Sequence, residues 1–499
     1  MITKAKTSYE RCKTGITGLD AITKGGIPSN RLYLLQGEPG TGKTTMALQF
    51  LLHGLEQGER GLYITFSETE DELNSVARSH GWDISKMPML ELSAIEEQLK
   101  PEFQNTVFHP SEVEMNETTR ILFETVEREK PTRIVFDSVS EMRMLAGTPL
   151  RYRRQMLALK QFFSGKNSTV LLLDDLTASP TDLQVQSIVH GVINLQKLHP
   201  EFGDERRRIN VVKMRGVEFA GGHHDYVIRP GGLQVFPRMV SAGRAIDFKD
   251  EPVSSGISSL DALLGGGIDS GTSNLFLGPA GTGKSTFAVQ YAIAAAKRGE
   301  KSAIFAFEES LHTLLARTKA LGTDIRPYME SGLIEIQKVD PAEMSPGEFS
   351  ARICAAVLDR NVKTIVIDSL NGYLHAMPQE QFLVLQLHEL LSFLSGQGVV
   401  TIMVLAQQGM MGIMNTPVDL TYLADTVLIT RFFESRGEVK KAVSVIKKRG
   451  GYHETTIREF ELTTGGIKVG PPLKQFQGVL SGIPQLFDEI EKEARSHGG

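Results

Sequence analysis

Two short stretches, GEPGTGKTT at 37–45 and GPAGTGKST at 278–286, hold the residue types that grip phosphate. Both fit G-x-x-x-x-G-K-[ST]. The first presents Gly37, Gly40, Thr41, Gly42, Lys43, Thr44 and Thr45; the second presents Gly278, Gly281, Thr282, Gly283, Lys284, Ser285 and Thr286. Glycines let such a loop curl until successive backbone N–H groups face phosphate oxygens, with no Cβ in the way. The lysine then reaches the β- and γ-phosphates, the hydroxyl after it ligates Mg²⁺, and the following helix turns its positive end to the anion. A nucleoside triphosphate with Mg²⁺ is the ligand expected in each copy.

Three further sets of side chains suit the same chemistry. Asp137 and Asp368 each end an apolar run, RIVFD and TIVID. A carboxylate emerging there is the second anchor that Mg²⁺ needs beside Thr44 or Ser285. Glu68, Glu308 and Glu309 end the strand after the phosphate-loop helix, where a carboxylate orients or deprotonates the attacking water or hydroxyl. Adjacent carboxylates repel, so one of Glu308 and Glu309 is expected in a polar network while the other faces the nucleotide. The first copy has Ser67-Glu68 at that place. Lys213 and Arg215, like Lys447 and Arg449, fall on one face of an alternating strand and suit an anion. Supplied across a subunit interface, such cations act as fingers on the transferring phosphoryl group, worth about 10³–10⁵ in rate in other systems.

The elements around the loops match what the motif requires. RLYLLQ (31–36) and SNLFLG (273–278) read as buried strands before them, and 45–58 and 286–299 as helices after them. Further strands are expected at 62–66, 133–136 and 169–173, and at 302–307, 364–367 and 399–405. INVVKM (209–214) and AVSVIK (442–447) alternate like antiparallel strands. Apolar runs alternating with helical patterns give an α/β fold with mostly parallel sheets flanked by helices.

The chain is one such unit written twice. Lys43 and Lys284 are 241 positions apart, as are Asp20 and Asp261, and LYITFSET (62–69) matches AIFAFEES (303–310) at the same spacing. PTRIVFDSVS (131–140) matches VKTIVIDSLN (362–371) at 231, and VVKMRG (211–216) matches VIKKRG (445–450) at 234. A period this long is a duplicated domain. The division expected is 1–240, 253–470 and a tail at 471–499, with the boundary in the polar stretch near 241–252. The tail, with its amphipathic LFDEIEKEA, is expected on the surface.

Composition narrows the class. At 41% hydrophobic and 23% charged, the 499 residues are those of a globular protein. A net charge of −5 argues against broad nucleic-acid binding. The polar N-terminus carries no signal-peptide pattern and no apolar run reaches bilayer length. Cys12 and Cys354 lie far apart with no metal spacing, as free thiols in a reducing cytoplasm do.

These motifs in this order resemble the KaiC family of tandem RecA-type ATPases of bacterial clock and signalling systems. The likeness rests on GLD and SLD before a glycine turn, the two phosphate loops, SET and FEES, the two strand-end aspartates, KMRG and KKRG, and DTVLITRFFESRGE (425–438). It runs through all but the last thirty or so residues. The resemblance implies a two-tiered homo-hexamer with ATP between neighbouring subunits in both tiers, and KaiB-like or other signalling proteins as partners. It also implies slow hydrolysis, mainly in the first tier, and serine/threonine autophosphorylation in the second. By position Glu308 would be the kinase base, and Lys447 and Arg449, or Lys213 and Arg215 in the first tier, would reach a neighbour's γ-phosphate. The phospho-acceptor pair of the clock protein falls on Thr421-Tyr422. Thr421 keeps a suitable hydroxyl and is the first candidate for phosphorylation; Tyr422, whose hydroxyl is larger and differently placed, is the second candidate or else packs.

Two other readings use the same loops. A DNA-acting ATPase of the RecA class needs basic, glycine-flanked channel loops. DDLTASPTDLQVQS (174–187) has three aspartates and no cation, and 406–421 is nearly uncharged, so neither suits a phosphate-tracking surface. A scaffold holding ATP only as glue is disfavoured in the second unit by Glu308-Glu309.

Overall fold

The computed structural model describes residues 10–92, 110–176, 184–200, 203–239, 246–375, 380–407, 409, 419–480 and 485–486. The chain divides into two compact units, Met1–Arg238 and Met239–Gly499. Most of LFDEIEKEA and the stretches 177–183 and 410–418 lie outside the described residues.

Each unit is a nine-stranded sheet. In the first, the strands stand in the order Gly232–Phe236, His224–Arg229, Arg206–Met214, Gly191–Leu198, Leu32–Gly37, Thr169–Asp175, Arg133–Asp137, Gly61–Thr65 and Met89–Glu91. The last six run parallel and the first three form an antiparallel ribbon at one edge. The second unit repeats this order, with Ser273–Pro279 in the place of Leu32–Gly37 and Glu438–Lys448 in the place of Arg206–Met214. The mostly parallel α/β architecture expected from the sequence is thus present twice.

The central strands are apolar throughout because both faces are covered. Tyr33 and Leu35 pack under the helix Lys43–Glu56, while Leu32 and Leu34 pack against the helices Val139–Ala146 and Pro149–Phe163. In the second unit nearly all of the helix Lys284–Lys297 is buried, its alanines allowing close approach to the sheet. The start of the tail also packs. Leu473, Phe476 and Val479 cover Phe433 and Ala442, because apolar side chains there meet an open face of the ribbon. Among the described residues no helix is long and apolar enough to cross a membrane. Cys12 and Cys354 are both free.

One charged group is built into the first core. Arg133 is 1% exposed at the start of its strand. Its guanidinium donates to both carboxylate oxygens of Glu59 at 2.8 Å and to the carbonyls of Lys13 and Phe50, also at 2.8 Å. Gly54 makes room for it, since a Cβ there would sit 2.5 Å from the arginine Cδ. Arg133→Leu should therefore destabilise the first unit by about 3 kcal/mol, mainly because the Glu59 carboxylate and the Lys13 carbonyl lose their donors. Denaturant unfolding followed by a probe in each unit would read this as a lower midpoint for the first and an unchanged one for the second.

Candidate functional site

Both phosphate loops sit at the carboxyl end of the central parallel strand and run directly into a helix. The turn requires glycine where it enters the helix. Gly42 has φ +88° and Gly283 φ +102°, and a Cβ on Gly42 would lie 2.5 Å from Ile228 Cδ1. Thr41 donates to the Glu38 carbonyl at 2.8 Å and Thr282 to the Pro279 carbonyl at 2.9 Å, which closes each curl.

The loop lysines are buried and lie back along the loop. Lys43 Nζ donates to the carbonyls of Gly37 (2.9 Å) and Glu38 (3.1 Å) and pairs with Asp175 at 2.6 Å. Lys284 Nζ donates to the Pro279 carbonyl at 2.6 Å. Ala406 stands opposite Gly278 where Asp175 stands opposite Gly37, so the second lysine lacks that carboxylate. Burial lowers its ammonium to about 8, against the pull of Asp368. Asp174 and Asp175 end their strand rather than charging a loop surface. Asp174 turns inward to Gln36, Ser140 and Arg143.

Each strand-end aspartate meets the loop hydroxyl. Thr44 donates to Asp137 at 3.3 Å, and Ser285 bonds Asp368. Both aspartates are nearly fully buried, and burial raises both carboxyls, opposed at Asp137 first by a 2.5 Å bond from Tyr63 and at Asp368 by the Ser285 hydroxyl. A hydroxyl and a carboxylate side by side are hard oxygen donors of the kind Mg²⁺ takes with phosphate oxygens. Among the described residues no cluster of three or more acidic, histidine or cysteine side chains forms a larger metal cage.

The glutamates differ between units. Glu68 has a buried carboxylate oxygen with no hydrogen-bond partner among the described residues. Burial, then repulsion from Asp137, pushes its carboxyl up to about 7. Glu308 accepts from the backbone N–H and hydroxyl of Ser369, at 2.9–3.1 Å, next to Asp368. Glu309 is gripped by Arg317, whose Nε and a terminal nitrogen reach its two oxygens at 3.0 and 2.8 Å. The same guanidinium donates to Thr286 at 3.0 Å, whereas Thr45 meets His80 Nε2 at 3.5 Å.

The four strand cations are not at these sites. Lys447 pairs across from Val427, which is level with Leu275. That is three residues, about 10 Å, short of Gly278 along the strand and two strands aside. Lys213, across from Val192 and level with Leu34, repeats the placement. Lys447 donates to the carbonyls of Thr421 and Ala424 at 2.8 and 2.7 Å. Arg449 reaches Asp425 at 3.2 Å and the Tyr422 carbonyl at 2.9 Å. Lys213 bonds the Gln186 carbonyl, and Arg215 that of Ser187 at 2.8 Å. The Thr421 hydroxyl donates to Asp419 at 2.7 Å beside them. Tyr422, expected to pack if not phosphorylated, is 55% exposed instead, because its neighbours Leu420 and Ala424 fill the core below.

Motif reading did not find Tyr63, Asp175, Ser369 and Arg317. Ser369 had a signal, since DS recurs after both strand-end runs; the other three act through space and leave none.

The sequence profile of the family described as "ATPase: KaiC" matches residues 12–240 and again 253–474. The chain is 26% identical over 496 residues to a circadian clock oscillator protein KaiC of Picosynechococcus sp., covering 98% of this chain and 95% of the relative. It is 26% identical over 494 residues to that of Synechococcus elongatus, covering 97% and 94%. With circadian clock protein KaiC3 of Synechocystis sp. the identity is 24% over 505 residues, covering 99% of each. With the two loops, strand-end aspartates and repeated sheets in place, this chain belongs to the KaiC family of tandem-domain ATPases.

Proposed function

We propose that the chain is one subunit of an ATP-hydrolysing homo-hexamer, in which Lys213 with Arg215, and Lys447 with Arg449, complete the triphosphate site of the neighbouring subunit. In the same reading the second unit transfers the γ-phosphoryl group to Thr421. The observation that carries it is the position of both cation pairs at the sheet end away from their own phosphate loops. Within one unit they cannot meet the phosphate bound there; presented to a neighbour, they can.

The remaining groups have roles consistent with that arrangement. Thr44 with Asp137, and Ser285 with Asp368, would hold Mg²⁺, which neutralises the oxygens between the β- and γ-phosphates. Glu68 in the first unit takes the proton of the attacking water. Glu308, held by Ser369 in the subunit that binds ATP, takes the proton of the incoming hydroxyl. That hydroxyl comes from Thr421 of the neighbour, whose Lys447 is bonded to the Thr421 carbonyl, so acceptor and cation arrive together. The oxygen of Thr421 forms a bond to the γ-phosphorus and ADP leaves. The relatives are circadian clock proteins; carried over, the nucleotide or phosphate state of the ring would set which signalling protein it binds.

Light scattering with saturating ATP should give the mass of six subunits; a single subunit would end the ring reading. Arg449→Ala should slow phosphoryl transfer in the second unit by about 10²-fold or more while ATP still binds, and an unchanged single-turnover rate rejects the finger role. After incubation with Mg·ATP, peptide mapping should find phosphate on Thr421. Full ATP turnover with an unmodified peptide removes the transferase arm.

Lys284, bonded to a carbonyl and to no carboxylate among the described residues, gives a pH test. Below about pH 8 its ammonium is already charged; above it, binding a triphosphate must first take up a proton. In Lys43→Ala, where only the second unit binds, ATP affinity should be about tenfold weaker at pH 9 than at pH 7, with proton uptake in calorimetry. Equal affinity without uptake would refute this.

A further inference from the structure

The two units treat their acidic strand ends in opposite ways, and one side chain accounts for the difference. In the second unit Arg317, on the helix Leu311–Ala320, takes both oxygens of Glu309 in its fork and reaches Thr286 of the phosphate loop with its remaining nitrogen. In the first unit the matching helix is Glu70–Ser79, and Val76 stands where Arg317 stands. Its counterpart of Glu309 is Glu68, which has a buried oxygen without a partner among the described residues. Its counterpart of Glu308 is Ser67. A unit therefore has either two carboxylates and the arginine, or one carboxylate and no arginine.

Like charges side by side raise each other's affinity for protons and repel a phosphate oxygen. Around Glu308 and Glu309 the charged groups are Asp368 on the strand Val362–Asp368, Lys284 on the phosphate-loop helix, Lys338 and Arg317. Lys338 Nζ lies on the carbonyls of Phe307 and Glu309, not on a carboxylate. Arg317 is the one cation in hydrogen-bond contact with the Glu309 carboxylate among the described residues. The pair is only 23% exposed at each side chain, so water screens it less than a surface pair.

We propose that Arg317 is a positioning residue for the second unit's reaction: its fork withdraws Glu309, leaving Glu308 alone to face the reacting phosphoryl group. This rests on the role given to Glu308 above. A lysine cannot replace the fork, because a point charge holds one oxygen where the guanidinium holds two.

The test uses the full chain carrying Glu68→Gln, with the single-turnover rate of phosphoryl transfer to Thr421 measured from pH 5 to 9. Arg317→Val should move the acid limb of the profile to higher pH, each unit of displacement costing about tenfold in rate below it. Arg317→Lys should fall between. Arg317→Val with Glu309→Gln should bring the limb back, because the charge added beside Glu308 by freeing Glu309 is gone and Asp368 acts on it as in the parent. An Arg317→Val profile in its parent position overturns the proposal. So does a double variant displaced as far as the single one, which would make Arg317 a staple between helix and loop. ATP affinity measured on each variant separates lost binding from lost turnover. Glu308→Gln guards the premise: if it transfers phosphate to Thr421 at the parent rate, the reading of Glu308 fails, and if it is slow, the Arg317 variants judge the proposal alone.

Discussion

A parallel sheet has two chemically different ends, and both units are arranged around that difference. At the carboxyl end, strands stop with their next residues free to turn, and there the phosphate loop, the strand-end aspartate and the glutamate converge. At the amino end, the antiparallel ribbon delivers two cations onto the carbonyls of the preceding segment. Strand direction fixes this separation, since Lys447 and Lys213 are held in register by the ladder itself. No rotamer change in a lysine spans the depth of the sheet.

Within that common plan the copies have diverged in charge. The first unit balances its loop lysine with Asp175 and leaves one oxygen of Glu68 buried with no partner among the described residues. The second replaces Asp175 by Ala406, so Lys284 is held by a carbonyl, and it pairs its second glutamate with Arg317. Each unit thus has a single glutamate free of an arginine after that strand, reached from different starting residues.

Much of this could be read in the chain. The loops, the central strands and Asp137 and Asp368 follow from local patterns, because glycine turns and doubly buried strands leave little freedom in residue type. The strands Gly191–Leu198, His224–Arg229 and Gly232–Phe236 were not anticipated, since each interrupts its apolar residues with polar ones such as Asn194, Gln196, Arg229 and Gln234 and so shows no unbroken apolar run. One of Glu308 and Glu309 was expected in a polar network; both are hydrogen-bonded, to Ser369 and Arg317, 61 and 8 positions away. Contacts at such distances are set by the fold and leave no spacing to read. The placement of Tyr422 depended likewise on what its neighbours already filled.

The edge ribbon has a second attachment. In the first unit the strand that carries Lys213 pairs with His224–Arg229, whose Tyr226 hydroxyl donates to the Thr41 carbonyl at 2.6 Å and whose Ile228 rests against Gly42. In the second, Leu462 and Phe460 lean on Gly283 and Phe287 in the same manner. The ribbon therefore does two jobs at once: it braces the phosphate loop of its own unit and sets the height at which the cation pair stands. A residue inserted or deleted between the two would shift one against the other.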